Sequence, residues 1–163
     1  MTTQPHVYVL DRAQCEALLT SQHVGRLAFS FRNRVDIEPI HYVYANGHIY
    51  GRTQYGTKVN VLAHHPWIAF EVDEIKALFE WRSVVVHGRI EFPDPNGAAH
   101  DVERFGQVVE RFRTLIPTAF AADDPTPARE LAFIIAVQEM TGRAATIGGT
   151  IGGTIGGTIG GTE

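Results

Sequence analysis

The sequence predicts a small antiparallel β-barrel decorated with a few short helices. Most strand-like runs are joined by short turns, which suit antiparallel pairs, whereas a parallel sheet needs long crossover connections. The dipeptide Asn46-Gly47 is the strongest hairpin signal in the chain, because both residues tolerate positive φ. Short apolar runs recur on either side of it, which gives about five to seven strands and favours a closed sheet over an α/β fold.

A capping pattern places the first helix. Asp11 is a good N-cap and Gln14 follows three residues later, as in a capping box. A helix over Arg12–Ser21 puts Cys15, Leu18 and Leu19 on one face. The apolar runs that follow predict a meander of three strands, which are Val24–Phe31, Val35–Tyr44 and His48–Thr53.

The second half of the chain predicts two more helices and three more strands. A short helix over Thr57–His65 ends at Pro66, which cannot continue it. Apolar residues at helical spacing predict the longest helix over Ala98–Ile116. The predicted strands are Trp67–Asp73, Trp81–Phe92 and Leu131–Val137.

The chain ends in a repeat. From Thr146 the unit Thr-Ile-Gly-Gly occurs four times, and it holds half of the 16 glycines. Paired glycines make ordering costly and one Ile per unit offers little to bury, so a flexible tail is expected at 146–163 after a domain at 1–145. The alternative is an extended edge strand, since Thr and Ile favour strands. No function is assigned to the repeat.

Composition excludes several classes of protein. No run of 18 apolar residues occurs and the first residues lack a signal-peptide pattern, so we expect neither a membrane span nor secretion. The formal net charge is −4 with acids and bases interspersed, unlike the clustered cations of nucleic-acid-binding proteins. Cys15 is the one cysteine, which excludes an intramolecular disulfide. A cytoplasmic protein is the expectation.

The turn between the third strand of the meander and the next helix carries a phosphate-binding pattern. Within seven positions it presents Arg52, Thr53, Thr57 and Lys58. Two cations and two hydroxyls can bind a phosphate, and a helix start adds free N–H groups and a positive dipole end. Lys58 offers a point charge and Arg52 a two-point contact. The alternative is a solvated surface turn.

Other polar residues do not form a catalytic or metal-binding pattern. The adjacent His64 and His65 cannot face one ion from a helix, and no His-x-His or His-Glu-x-x-His occurs. The acids Glu71, Asp73 and Glu74 suit a charged strand end better than an acid–base pair. No metal site and no catalytic side chain are predicted.

Six segments, taken in order, resemble a known family. They are Val24-Gly25-Arg26-Leu27-Ala28, Pro39-Ile40-His41-Tyr42, Ile49-Tyr50-Gly51-Arg52-Thr53, Gly56-Thr57-Lys58, Pro66 to Glu74, and Trp81 to Gly88. The chain resembles the pyridoxamine 5′-phosphate oxidase-like, FMN-binding split-barrel proteins, and within them the nitroimidazole-resistance (Nim-type) reductases. The resemblance covers about residues 7–92 well and continues more loosely to Arg143.

The resemblance implies a six-stranded antiparallel split β-barrel of Greek-key type, forming a homodimer with FMN at the subunit interface. It assigns the FMN phosphate to Arg52, Thr53, Thr57 and Lys58. The backbone beside the isoalloxazine is assigned to Pro39, Ile40, His41 and Tyr42, and the contact from the partner subunit to Trp81 and Ser83.

The implied activity is an oxidoreductase that uses NAD(P)H-derived electrons to reduce a small aromatic or nitro-aromatic acceptor. Two departures limit the resemblance: Thr57 stands where some Nim-type reductases carry His, and no Arg-x-His segment for vitamin B6 phosphate follows Arg143. Vitamin B6 oxidation is therefore not predicted. The alternatives are a flavin carrier or sensor without turnover, or the same barrel binding the deazaflavin F420 or haem.

Overall fold

The computed structural model describes residues 4–148, which form seven strands and three helices. The strands are β1 (Pro5–Leu10), β2 (Val24–Phe31), β3 (Arg34–Ala45), β4 (His48–Thr53), β5 (Trp67–Ala77), β6 (Glu80–Glu91) and β7 (Leu131–Ile147). The helices are α1 (Arg12–Ser21), α2 (Thr57–His64) and α3 (Ala99–Phe112). Among these residues, no helix is both long and apolar enough to cross a membrane.

Six strands close into an antiparallel barrel. The sheet runs in the order β1-β7-β4-β3-β2-β5-β6, and an additional pairing of β6 with β7 closes it. Strands β2, β3 and β4 form the meander, and β5 returns beside β2, which is the Greek-key arrangement. The predicted six-stranded split β-barrel is therefore confirmed, and β1 extends it by pairing with the end of β7.

Alternating side chains of the strands fill the barrel. On β3 the inward series includes Ile40 and Tyr42, which are buried. Helix α1 packs Leu18 and Leu19 into the same core. The Tyr42 hydroxyl donates to the Leu19 carbonyl at 2.6 Å, and burial raises the pKa of this tyrosine. A tyrosine that is wholly buried and hydrogen-bonded in this way is part of the scaffold.

The local signals in the sequence are confirmed. Asp11 caps α1 and Gln14 completes the capping box, with the helix over the predicted residues. Asn46 and Gly47 adopt φ of 50° and 76° in the β3–β4 hairpin. Apart from β7, the other predicted bounds lie close to those observed, although β5 runs on to Ala77 and α3 ends at Phe112, before the predicted end at Ile116.

Strand β7 is longer than predicted and crosses the predicted domain end at residue 145. It continues past Val137 to Ile147 because three neighbours pair with successive parts of it: β4, then β6, then β1. Gly142 allows α1 to approach, since a Cβ there would lie 2.5 Å from the sulfur of Cys15. Thr146 and Ile147 of the repeat therefore belong to the sheet, whereas the predicted tail from residue 149 onward lies outside the described residues.

Candidate functional site

The turn from β4 to α2 opens onto a cavity of about 330 Å³. Strand β4 ends at Thr53, and α2 begins at Thr57. The cavity is lined by Glu38, Pro39, Ile40, Arg52, Thr53, Gln54, Tyr55, Gly56, Thr57, Lys58 and Arg129. The four residues that the sequence pattern singled out for phosphate thus line one cavity.

Lys58 is a largely buried cation that contacts two other residues lining this cavity. Its ammonium donates to the Thr53 hydroxyl at 2.8 Å and contacts the Glu38 carboxylate, with 15% of the side chain exposed. Burial, and secondly the positive charge of Arg129, lower the pKa of Lys58 to about 8 despite the contact with Glu38. The site thus holds a cation at some cost, which an anionic ligand would offset.

Arg129 brings a second cation from a distant part of the chain. It lies near the end of the segment that joins α3 to β7, where its N–H donates to the Thr126 carbonyl at 3.0 Å. No acid among residues 4–148 lies within 4.0 Å of its guanidinium to form an ion pair. Sequence reasoning missed Arg129, because nothing local marks it in a Pro- and Ala-rich connection.

Arg52 has a different environment from the one predicted. Its side chain is only 2% exposed, and both ends of the guanidinium contact the Asp124 carboxylate, one of them at 3.0 Å. It also donates to the Thr126 hydroxyl at 2.8 Å and lies between two rings, 5.2 Å from the centroid of Phe112 and 5.1 Å from that of Phe120. The two-point contact expected with a phosphate is thus made with Asp124, and a direct contact between Arg52 and a phosphate remains a prediction.

Asp124 organises the segment that carries Arg129. Besides Arg52, its carboxylate accepts the N–H groups of Phe120 and Thr126, each at 2.8 Å. These hydrogen bonds, led by that from Arg52, hold the pKa of Asp124 well below its usual range. Phe120 adopts φ of +64°, a strained conformation for a bulky residue, which this bonding holds in place.

The start of α2 adds backbone donors. Gly56 is the N-cap residue and has no side chain that could accept hydrogen bonds from the first N–H groups of the helix. The Gly56 carbonyl accepts the N–H of Val59. The N–H groups of Thr57 and Lys58 are among the first of the helix and have no intrahelical acceptor. They lie at the positive end of the helix dipole beside the cavity, where an anion is stabilised.

The remaining predicted site residues divide between the cavity and other surfaces. Pro39 and Ile40 line it, whereas His41 is exposed and the Tyr42 side chain is in the core. Trp81 and Ser83 lie on β6 and do not line it; Trp81 lines a separate cleft with Tyr8 and Arg82. Within one chain, β6 therefore does not reach this cavity.

The acidic cluster on β5 has structural partners. Glu71, Asp73 and Glu74 were predicted at a strand end, but they lie inside this strand, which continues to Ala77. Arg26 contacts Glu71 and Asp73 at 3.2 Å each, and Arg82 contacts Glu74. Within residues 4–148, no group of three His, Cys, Asp or Glu side chains is arranged to hold a metal ion.

The family of the chain follows from a match to a known family model. The family model described as pyridoxamine 5′-phosphate oxidase matches residues 11–144. The chain belongs to the pyridoxamine 5′-phosphate oxidase family. The resemblance inferred from the sequence is thereby confirmed, and the cavity lies within the residues matched to this family.

Three known proteins are similar to the chain in sequence or in structure. An uncharacterized protein of Rhizobium meliloti (strain 1021) is 26% identical over 147 residues, which cover 87% of this chain and 97% of that protein. A FAD-binding protein from Mesorhizobium loti has a similar crystal structure, with a TM-score of 0.67, 28% identity and coverage of 84% of this chain and 96% of its own. A candidate 5-nitroimidazole antibiotic resistance protein from Bacteroides thetaiotaomicron shares the fold, with a TM-score of 0.67, 15% identity and coverage of 88% and 90%.

Proposed function

We propose that the chain binds a flavin nucleotide and holds its phosphate in the cavity between β4 and α2. The observation that carries this proposal is the donor set of that cavity: Lys58, Arg129, the hydroxyls of Thr53 and Thr57, and the start of α2. These groups fit a phosphate, since cations, hydroxyls and helix N-termini are its usual protein ligands. The similarity to the FAD-binding protein supports a flavin as the ligand that carries the phosphate.

Arg52 has a supporting role in this proposal. Its charge is balanced by Asp124, so it adds little net attraction for a ligand. Instead the pair joins the end of β4 to the segment that carries Arg129, which keeps the second cation at the cavity. Thr53, next to Arg52, is fixed by the same strand and presents its hydroxyl to Lys58.

The proposed activity is that of an oxidoreductase that passes electrons from NAD(P)H to a small acceptor, of which a nitro-aromatic compound is the first to test. Bound flavin supplies the hydride and electron chemistry, and the protein binds it, orients it and controls access. The residues of this chain need only fix the phosphate and line the ring with backbone from β3. This fits a cavity whose lining residues are mainly of the kinds that bind phosphate.

The visible spectrum of the purified protein tests this function. We expect flavin bands, or their appearance after FMN or FAD is added and excess ligand removed, and bleaching after anaerobic addition of NADPH or NADH. A flavin that stays bound but is not bleached would favour a carrier or sensor. A protein that takes up neither flavin would contradict the proposal, and a Soret band or a deazaflavin spectrum would assign haem or F420 instead.

We further propose that two copies of the chain form a homodimer through the outer face of β2, β3 and β5. Val35, Ile37 and Trp67 on this face are 72%, 66% and 60% exposed, and Val35 and Trp67 line one shallow apolar cleft. Exposed apolar residues that are grouped in this way are typical of an interaction surface. A dimer would also allow Trp81 and Ser83 of β6 to approach the flavin of the other copy.

Sedimentation equilibrium tests the dimer. We expect a mass of twice the chain at micromolar concentration and a shift toward the monomer in Trp67→Glu, because a charge would be buried in the interface. Leu78→Glu is the matched control, since Leu78 is 79% exposed and lies outside the apolar cleft. A wild-type protein that sediments as a monomer would contradict this arrangement.

A further inference from the structure

Glu38 stands out among the residues that line the phosphate cavity. It lies on β3 two residues before Ile40 and four before Tyr42, so it belongs to the inward-facing series of that strand. Its partner across the sheet is Leu27, which is buried. A carboxylate is unexpected in an apolar series and in a cavity suited to anions, and this position therefore needs a specific explanation.

The contacts of Glu38 place it in competition with a ligand. Its carboxylate contacts the Lys58 ammonium, which we assign to the phosphate. Lys58 is held on its other side by the Thr53 hydroxyl, with 15% of its side chain exposed, whereas 39% of the Glu38 side chain is exposed. Of the two partners, Glu38 is thus the one that can turn toward water when another anion approaches Lys58.

The charges around the cavity determine which kind of phosphate is most affected by this competition. Arg52 is balanced by Asp124, so Lys58 and Arg129 against Glu38 leave an excess of one positive charge. A phosphate monoester carries nearly two negative charges at neutral pH, whereas each phosphate of a diester or pyrophosphate carries one. Repulsion from the Glu38 carboxylate scales with the charge of the ligand phosphate, so it acts more strongly on a monoester.

We propose that Glu38 is a specificity-determining residue that competes with the ligand phosphate for Lys58 and disfavours a terminal phosphate monoester, as in FMN, relative to an internal pyrophosphate, as in FAD. This inference rests on the proposed function for the location of the phosphate. It adds that the carboxylate sets which class of flavin nucleotide the cavity prefers. The contact with Lys58 then has a role beyond stabilising the fold.

The test compares the binding of FMN, FAD and riboflavin to the full-length wild-type protein and to Glu38→Gln, by fluorescence quenching. Glutamine keeps the size of the side chain and removes its charge. We expect the affinity for FMN to rise about tenfold or more, as for one charge-assisted contact regained. The affinity for FAD should rise less, and that for riboflavin, which has no phosphate, should not change.

Two further variants separate charge from structure. Glu38→Asp keeps the carboxylate and should keep the preference of the wild-type protein. Glu91→Gln also removes a carboxylate from an ion pair, that with Arg104, but lies on β6 away from this cavity and should leave all three affinities unchanged. An unchanged FMN affinity in Glu38→Gln, or equal gains for FMN, FAD and riboflavin, would overturn the proposal.

A titration with inorganic phosphate tests the role of Glu38 without requiring the protein to bind a flavin. If no variant binds any flavin, the proposed function fails, and titration with phosphate while following the amide NMR signals of Thr57 and Lys58 still tests Glu38. We expect larger shifts at a given phosphate concentration in Glu38→Gln than in the wild-type protein. Identical titrations would show that Glu38 does not compete for this anion site.

Discussion

Replacing Arg52 by alanine should lower the free energy of unfolding by about 3–5 kcal/mol, the usual effect of removing one partner of a buried ion pair. The Asp124 carboxylate, whose side chain is 3% exposed, would be left without its cation in a site with little access to water. The rings of Phe112 and Phe120 would lose the guanidinium that lies between them. Urea denaturation followed by circular dichroism measures the loss.

A double variant shows that the loss comes from the unpaired charge. Arg52→Met with Asp124→Asn removes both charges, a change that is often tolerated at buried ion pairs, and keeps an amide oxygen that can accept the N–H groups of Phe120 and Thr126. We expect it to unfold near the wild-type midpoint, far above either Arg52→Ala or Asp124→Ala. If Arg52→Ala lost less than about 1 kcal/mol, as at an exposed ion pair, the buried pair would not hold this segment.

The pair at Arg52 also shows where sequence reasoning reaches its limit. Arg52 sits beside Thr53 in a turn rich in phosphate ligands, so the local pattern favours a ligand as its partner. Its partner is instead 72 residues away, in a connection without helical or strand periodicity. Asp124 lies in the segment after α3, a helix that packs against β4 and β7, and no local signal encodes that packing.

Features that depend only on residues adjacent in sequence were, in contrast, predictable. The capping box of Asp11 and Gln14, the Asn46-Gly47 hairpin and the stop at Pro66 each depend on a few adjacent residues, and each fixes an element boundary. The end of β7 depends instead on three different partner strands. Its polar residues and Gly142 interrupt the apolar pattern, so the sequence alone ends the strand at Val137.

In the candidate site, too, the residues that are adjacent in sequence were predictable and the distant ones were not. The turn from Thr53 to Lys58 is continuous in sequence, and its phosphate-binding pattern identifies the cavity. Glu38 and Arg129 reach the cavity from β3 and from the segment before β7, and their contribution needs the fold. The sequence pattern thus locates the proposed anion site, whereas the distant charges that we propose to tune it are found only in the structure.

Removing the two cations that remain available should abolish the preference for phosphate-bearing flavins. In Lys58→Met with Arg129→Met, the cavity loses both charges that Asp124 does not balance. A hydrogen bond to a charged group contributes about 1.5–3 kcal/mol, so losing two should weaken FMN binding by about a hundredfold or more. Riboflavin should bind as it does to the wild-type protein, because its ring and ribityl chain do not need these cations.

Isothermal titration calorimetry with FMN and riboflavin measures this preference. Arg12→Met with Arg111→Met is the matched control, because it removes two cations that do not line the cavity and gives the same net charge. The fold should persist in the test variant, since the Glu38 side chain is 39% exposed and can be solvated without Lys58. FMN binding that survives the double substitution at its full strength would place the phosphate elsewhere on the chain.

The pH dependence identifies which cation makes the contact. Lys58 has a pKa of about 8, and a bound phosphate stabilises its charged form and raises that pKa. Above pH 8, binding therefore requires Lys58 to take up a proton, and the FMN affinity should fall by up to about tenfold per pH unit while riboflavin affinity does not. Lys58→Met should lose this slope. Arg129→Met should shift its onset to higher pH, because the charge of Arg129 is one of the two causes that lower the pKa of Lys58.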